Sequence, residues 1–283
     1  MHVLLTKEDV WQWRRSAGEA PVTLVPTMGA LHRGHKTLIQ EGKKVGGRVL
    51  VSIFVNPTQF GPTEDYNRYT RHINGDVELL KKTEVDAIFI PNCDTMYPNG
   101  VSIATKMSIP DLTSDWCGKY RPGHFDGVLG VVSRLFNLVQ PTHAVFGEKD
   151  FQQLVVIQRL VSDLGYPIAI IGVPTVREKN GLAMSSRNAY LRKSELAQAA
   201  IISEALHQAR DQFANGVSLD EIQRATHTMI AEGGLRIEYV GIVDEYFLSE
   251  LLPNATKGRL LIAAYLGTVR LIDNIQLVRE SQH

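Results

Sequence analysis

The feature that most constrains the fold is an alternation over the first 175 or so residues. Short apolar, β-branched runs take turns with longer stretches of helical spacing. Val22-Thr-Leu-Val-Pro26 reads as a buried strand, and Leu31–Lys44 follows with helical periodicity. Arg48-Val-Leu-Val-Ser-Ile-Phe-Val55 is β-branched and aromatic and predicts the next strand. Residues 74–84 predict a helix, Asp86–Ile90 a strand, Gly127–Val139 an apolar helix and His143–Phe146 a strand. A helix over Phe151–Gly165 and a strand over Ile168–Val173 complete the series. Strands separated by helices are joined by right-handed crossovers, which gives an α/β unit with a parallel sheet.

The pattern changes after about Val176. Two helices, roughly Lys193–Gly216 and Ser218–Gly233, precede strands over Ile237–Val243, Arg259–Tyr265 and Val269–Ile272. Leu266-Gly-Thr268 reads as the hairpin between the last two. We therefore expect an α/β domain over 1–175 and a smaller α+β domain over 176–283. A chain of 283 residues has room for a core in each.

Composition excludes several classes. Lys plus Arg and Asp plus Glu both count 30, and residues 176–283 carry no basic excess, so nucleic acid is not an expected partner. No run of 18 apolar residues exists and Met1–Arg15 lacks the apolar core of a signal peptide, so no membrane association is expected. Two cysteines, Cys93 and Cys117, argue against a disulfide framework and fit a reducing, cytoplasmic setting.

Ligands of open parallel sheets bind beyond the carboxyl ends of the strands. The first strand empties into Pro-Thr-Met-Gly-Ala-Leu-His-Arg-Gly-His35, the second into Asn56-Pro-Thr-Gln-Phe60, and two later ones into Gly147-Glu-Lys-Asp150 and Pro174-Thr-Val-Arg-Glu-Lys179. His32 and His35 sit at a helix start, where free N–H groups and the dipole favour anions. With Gly29 and Gly34 allowing close approach they suit a phosphate. Alone, the pair reads equally as two solvated histidines; a metal site is the weaker reading, since no acidic or thiol partner lies nearby in sequence and folding would have to supply one. Lys149 can offer phosphate a point charge, although an isolated Gly-Glu-Lys-Asp is also an ordinary charged turn. Gly181–Asn188 places two hydroxyls and a guanidinium within three residues, a set suited to a triphosphate and also found in plain pre-helix loops. No strand is followed by G-x-G-x-x-G, and no G-x-x-x-x-G-K-[ST] occurs, which argues against a dinucleotide enzyme and a P-loop protein.

His32-Arg-Gly-His35 together with Met184-Ser-Ser-Arg187 resembles the paired signatures of the nucleotidyl-transferase superfamily. The longer strings Pro26–His35, Phe54–Gly61, Arg121-Pro-Gly-His-Phe125, Phe146–Gln153 and Gly181–Asn188 resemble the pantothenate synthetase (pantoate–β-alanine ligase) family over nearly the whole chain. The resemblance implies a Rossmann-like doubly wound sheet, with the C-terminal domain closing over an ATP site. It implies that ATP and pantoate form pantoyl adenylate and pyrophosphate. β-Alanine then displaces AMP to give pantothenate, which is vitamin B5, on the route to coenzyme A.

Carried over residue by residue, it implies nucleotide contacts from Pro26, Met28, Gly29, Ala30, Leu31, His32, Arg33, Gly34, His35, Gly147, Glu148, Lys149, Asp150, Val176, Met184, Ser185, Ser186 and Arg187. Of these His35, His32, Lys149 and Arg187 would be catalytic, and Val176 would touch adenine. Gln59, Gln153 and Met28 would bind pantoate, with Val131 and Val132 against its methyl groups. Asp76 would serve Mg²⁺, and the assembly would be a homodimer through the larger domain. Asp126, Gly130, Gly75 and Trp116-Cys-Gly-Lys-Tyr120 depart from the family's pattern, and bear on magnesium ligation and subunit contacts rather than on the central motifs. A nucleotide-binding sensor would predict loss of His35, Lys149 or Arg187, and all three are present. A different transferase of the superfamily is disfavoured by the strings around Gln59 and Gln153.

Overall fold

The computed structural model describes residues 1–279. Its N-terminal part runs β1 (His2–Leu4), α1 (Lys7–Ser16), β2 (Val22–Thr27), α2 (Arg33–Lys44), β3 (Arg48–Ile53), α3 (Ile73–Lys82) and β4 (Ala87–Phe89). Three short helices follow, α4 (Cys93–Met96), α5 (Pro110–Thr113) and α6 (Trp116–Tyr120). The long α7 (His124–Val139), β5 (His143–Gly147), α8 (Phe151–Asp163) and β6 (Ala169–Val173) complete it. The strands form one six-stranded sheet in the order β1-β4-β3-β2-β5-β6, every pair parallel.

The apolar runs explain the layering. Leu24 and Leu50 face a cluster with α1, α7 and α8, while Val25, Val49, Val51 and Val145 face one with α2 and α3. A strand buried on both faces needs apolar residues at successive positions, which is why these strands read as continuous runs rather than alternations. The chain winds outward from β2 through β3 and β4 on one side and from β5 to β6 on the other. The switch point therefore lies between β2 and β5, where such sheets leave a crevice at their carboxyl ends.

The C-terminal part holds α9 (Lys193–Gln198), α10 (Ile201–Ala214) and α11 (Leu219–Glu232). These pack on an antiparallel sheet of β7 (Arg236–Val243), β8 (Lys257–Leu266) and β9 (Val269–Val278). Its own core runs from Leu182 to Leu277, but Val243, Leu248 and Leu261 belong to the core under α7 and α8, so the two parts share apolar contact.

Two expectations need correction, and one strand was not expected. β1, three residues pairing with β4 at the sheet edge, has no counterpart in the sequence pattern, because it is too short to carry a period. The helix expected over Lys193–Gly216 is two helices, since Ala200, Ile202 and Ser203 bond three residues back and tighten the chain there, with no glycine or proline to announce it. β9 runs six residues past the expected Ile272, because Asp273 and Asn274, which read as a strand end, are buried with partners.

Candidate active site

A cavity of about 230 Å³ opens at the switch point. The ends of β2 and β5, the start of α2, α7, the segment after β6 and the loop 184–187 line it. Geometry at the β2–α2 corner begins with a strained turn. Gly29 and Ala30 both have left-handed φ, 81° and 50°. A Cβ on Gly29 would sit 3.0 Å from an Asp76 carboxylate oxygen and 3.1 Å from Ile53, so glycine is required there. Asp76 holds the turn: its two oxygens accept from the Ala30 and Leu31 N–H groups at 2.9 and 2.8 Å.

α2 then starts with histidines as its caps. His32 is the N-cap, and its Nδ1 accepts from the Gly34 N–H at 3.1 Å. His35 Nδ1 accepts from the His32 N–H at 3.2 Å. A ring nitrogen that accepts from a backbone amide carries no proton, so in each neutral imidazole the proton is on Nε2. Burial, with the Lys149 ammonium second, lowers His32 to about 4. Burial, then His32, then Lys149, lowers His35 to about 3. Both rings are thus neutral N–H donors at pH 7, locked in orientation by the helix start.

Opposite them, Gln59 ends a single 3₁₀ turn (Pro57–Gln59) after β3. Asn56 Nδ2 donates to Gln59 Oε1 at 3.1 Å, so the Gln59 amide presents its N–H₂ side near Met28 Sδ, 3.2 Å away. Asn56 is itself fixed by Tyr97 Oη at 2.6 Å and by the Gly127 carbonyl. α7 can approach this turn only through Gly127, where a Cβ would collide with the Thr58 carbonyl. Val131 and Val132 on α7, with Val128, Leu135 and Phe54, form an apolar wall beside Gln59 and Gln153.

A clasp borders the cavity on one side. Arg187 donates through Nε and Nη2 to the two oxygens of Asp65, both at 2.9 Å, and its guanidinium lies 5.7 Å over the Tyr69 ring. Burial opposes the charge on each partner, but the pairing outweighs it, holding Asp65 below and Arg187 above its ordinary value. Tyr69 Oη is 2.9 Å from Ser186 Oγ. Behind the clasp lies a second cavity of about 220 Å³, sharing Arg121, Lys149, Asp150, Ser185 and Arg187 with the first.

Most of the expected residues meet at this cavity: Pro26, Met28, His32, Gly34, His35, Gln59, Val131, Val132, Gly147, Lys149, Asp150, Gln153, Val176 and Met184–Arg187 all line it. Gly29, Ala30, Leu31, Arg33, Glu148 and Asp76 do not. Arg33 points to solvent and reaches the Arg177 carbonyl, and Glu148 turns toward Arg259 on β8. Asp76, expected at magnesium, is buried and spends both oxygens on backbone amides, so its place is to shape the Gly29–Ala30 turn. Arg187, expected over the triphosphate, lines the cavity with one edge of its guanidinium occupied by Asp65.

Several lining or supporting residues have no role in the sequence reading. Arg121 pairs with Glu64 at 2.6 Å and donates to His124 Nε2. His124 Nδ1 in turn donates to the Gln59 carbonyl at 2.8 Å, fixing the turn that carries Gln59. Their string, Arg121–Phe125, is visible as a motif. Asp65 and Tyr69 lie in a stretch with neither periodicity nor motif, so no signal points to them.

The Pantoate-beta-alanine ligase family profile matches residues 2–276. The chain belongs to the pantoate-beta-alanine ligase family. Membership carries pantoate–β-alanine ligase activity. The pantothenate synthetase of Xanthomonas euvesicatoria pv. vesicatoria is 46% identical over 265 residues, 93% of this chain and 94% of that protein. A bifunctional pantoate ligase/cytidylate kinase of Synechococcus sp. (strain RCC307) is 44% identical over 273 residues, 96% of this chain, which spans only 53% of that longer protein. The pantothenate synthetase structure from Thermus thermophilus superposes with a TM-score of 0.92 at 43% identity, covering 97% of this chain and 99% of that one. A Francisella tularensis pantoate-beta-alanine ligase, solved in complex with "Beta-gamma ATP and Beta-alanine", gives 0.81 at 35% identity over 97% of each chain. Among the described residues no helix is long and apolar enough to cross a membrane.

Proposed function

We propose that this chain joins pantoate to β-alanine through a pantoyl-adenylate formed from ATP in the switch-point cavity. The observation that carries the reading is the pair of neutral imidazoles, each with its proton on Nε2 beside Lys149. A pantoate carboxylate oxygen attacks the α-phosphorus of ATP. The bond from that phosphorus to the bridging oxygen breaks, and pyrophosphate leaves. The amine of β-alanine then attacks the acyl carbon, the bond to AMP breaks, and the amine proton is lost.

His32 and His35 donate to phosphate oxygens as charge builds on them, Lys149 adds a point charge, and Ser185, Ser186 and Arg187 close over the leaving end. Fixed donors of this kind stabilise developing charge without reorganising. Gln59 and Gln153 hydrogen-bond pantoate, whose methyl groups rest on Val131 and Val132. Val176 contacts the adenine. Holding carboxylate and phosphorus in line converts an encounter into a unimolecular step.

Among the described residues no group of three or more His, Cys, Asp or Glu could hold a metal alone. Mg²⁺ commonly keeps its waters and takes one or two carboxylates plus substrate phosphates. That fits entry on the triphosphate, with Asp150 the carboxylate lining the cavity; bound there, the ion would neutralise phosphate charge. The homodimer through the larger part rests on the family resemblance, and light scattering tests it. A cytoplasmic location rests on the two free thiols.

The test is pyrophosphate release from ATP and Mg²⁺ in a single turnover. Release that requires pantoate but not β-alanine, followed by pantothenate on adding β-alanine, is expected. Binding of ATP with no release under any combination would sink the reading in favour of a nucleotide sensor.

A further inference from the structure

Arg187 is held from two sides by one short segment of the N-terminal part. Asp65 grips the Nε–Nη2 edge of the guanidinium with both oxygens, and Tyr69 lies beneath its plane. The Asp65 side chain is only 10% exposed, and Arg187 27%. The same segment fixes the neighbours of Arg187, since Tyr69 Oη meets Ser186 Oγ and the Arg68 carbonyl accepts from Tyr190 Oη at 3.2 Å. A guanidinium is planar with donors on each edge. Gripping one edge leaves the Nη1 donors pointing in a fixed direction. Arg187 lines both cavities, whereas Asp65 lines only the second, so the carboxylate stands behind the arginine as seen from the first.

We infer that Asp65 is a positioning residue for adenylate formation: it acts through Arg187, orienting the free edge of the guanidinium at the leaving phosphates. The inference rests on the reading of Arg187 as a phosphate contact. Asp65 also has an electrostatic effect of opposite sign. Its negative charge offsets part of the attraction of Arg187 for a triphosphate. Removing that charge while keeping the shape therefore leaves ground-state ATP binding unchanged or tighter, yet slows the chemical step. A residue that merely supported the fold would weaken both.

The experiment is a double-mutant cycle on the full chain, read by single-turnover pyrophosphate release and by the ATP dissociation constant. Asp65→Asn is expected to slow release about 10- to 100-fold, the scale of a misplaced reacting group, with ATP affinity equal or higher. In an Arg187→Ala background the same change is expected to do nothing further. Arg187→Lys keeps the charge but cannot make the side-on pair, so it is expected to match Asp65→Asn, and it serves if Asp65→Asn does not fold. Release within twofold of wild type for Asp65→Asn and Arg187→Lys would overturn the inference. So would an undiminished effect of Asp65→Asn in the Arg187→Ala background. If Arg187→Ala alone leaves release unchanged, it is the phosphate-contact reading of Arg187 that fails.

Discussion

At the scale of the residue, the His32–His35 corner separates two jobs within one imidazole. Nδ1 serves the helix start and Nε2 faces the cavity. Asparagine at position 35 can keep an acceptor near Nδ1, while glutamine can reach to the Nε2 position. We expect His35→Asn to slow adenylate formation by on the order of 100- to 1000-fold, as for loss of one oxyanion donor, and His35→Gln to recover a large part. Single-turnover rates decide it; a glutamine variant as slow as the asparagine one would mean that the imidazole acts as an acid or base rather than as a fixed donor. Neutral burial also sets a pH dependence. The folded values, about 4 for His32 and about 3 for His35, lie below the ordinary 6.5. Their contribution to stability is therefore complete above pH 6.5 and is lost as pH falls toward 4 and 3, where the unfolded chain binds protons the fold refuses. Urea unfolding between pH 7 and 4 should show this slope, shallower in His35→Asn; an equal slope would contradict it. The spacing of the two histidines was legible in the sequence. The task of Asp76 was not, because its partners, Ala30 and Leu31, lie 46 and 45 residues away.

At the scale of the element, strands were legible where they are buried on both faces and long enough to show it, as β2, β3 and β5 are. β1 and the end of β9 were not, since one is three residues long and the other continues through polar side chains whose partners come from distant segments. The approach of α7 to the 57–59 turn belongs to the same class. Gly127 looks like an ordinary helix-weakening glycine, and only the packed structure shows backbone where its Cβ would be. Gly127→Ala must push the turn carrying Gln59 away, and overpacking of this kind costs about 1–3 kcal/mol. We expect it to lower Tm and to weaken pantoate binding more than ATP binding, as Gln59→Ala should do without the loss in Tm. Calorimetric titration with each ligand reads both; equal losses for pantoate and ATP would break the link between α7 and the pantoate subsite.

At the scale of the molecule, the C-terminal sheet supports the site from outside the cavity, without lining it. Trp116 of α6 lies against Gly241 of β7 and donates to the Leu248 carbonyl at 2.7 Å, and Arg177 pairs with the buried Asp273. Asn274 of β9 donates from Nδ2 to the carbonyls of Glu148 and Lys149 at 2.8 and 3.0 Å, while its Oδ1 accepts from Arg259. The turn that presents Lys149 to the cavity is thus held by a strand more than a hundred residues later, a link no local pattern could announce. Two substitutions separate its halves. Asn274→Asp keeps an acceptor for Arg259 but faces the two carbonyls with an oxygen that cannot donate. Asn274→Ala removes the contacts to the carbonyls and to Arg259, at about 1–3 kcal/mol. If the clamp aligns Lys149, both variants slow pyrophosphate release, Asn274→Asp at least as much as Asn274→Ala, while pantoate affinity stays within about twofold because Gln59 is held from α7. Stopped-flow release and pantoate titration test this together. A wild-type rate in Asn274→Asp would mean that Lys149 is placed by its own turn and its 3.8 Å pairing with Asp150, and that β9 contributes stability alone.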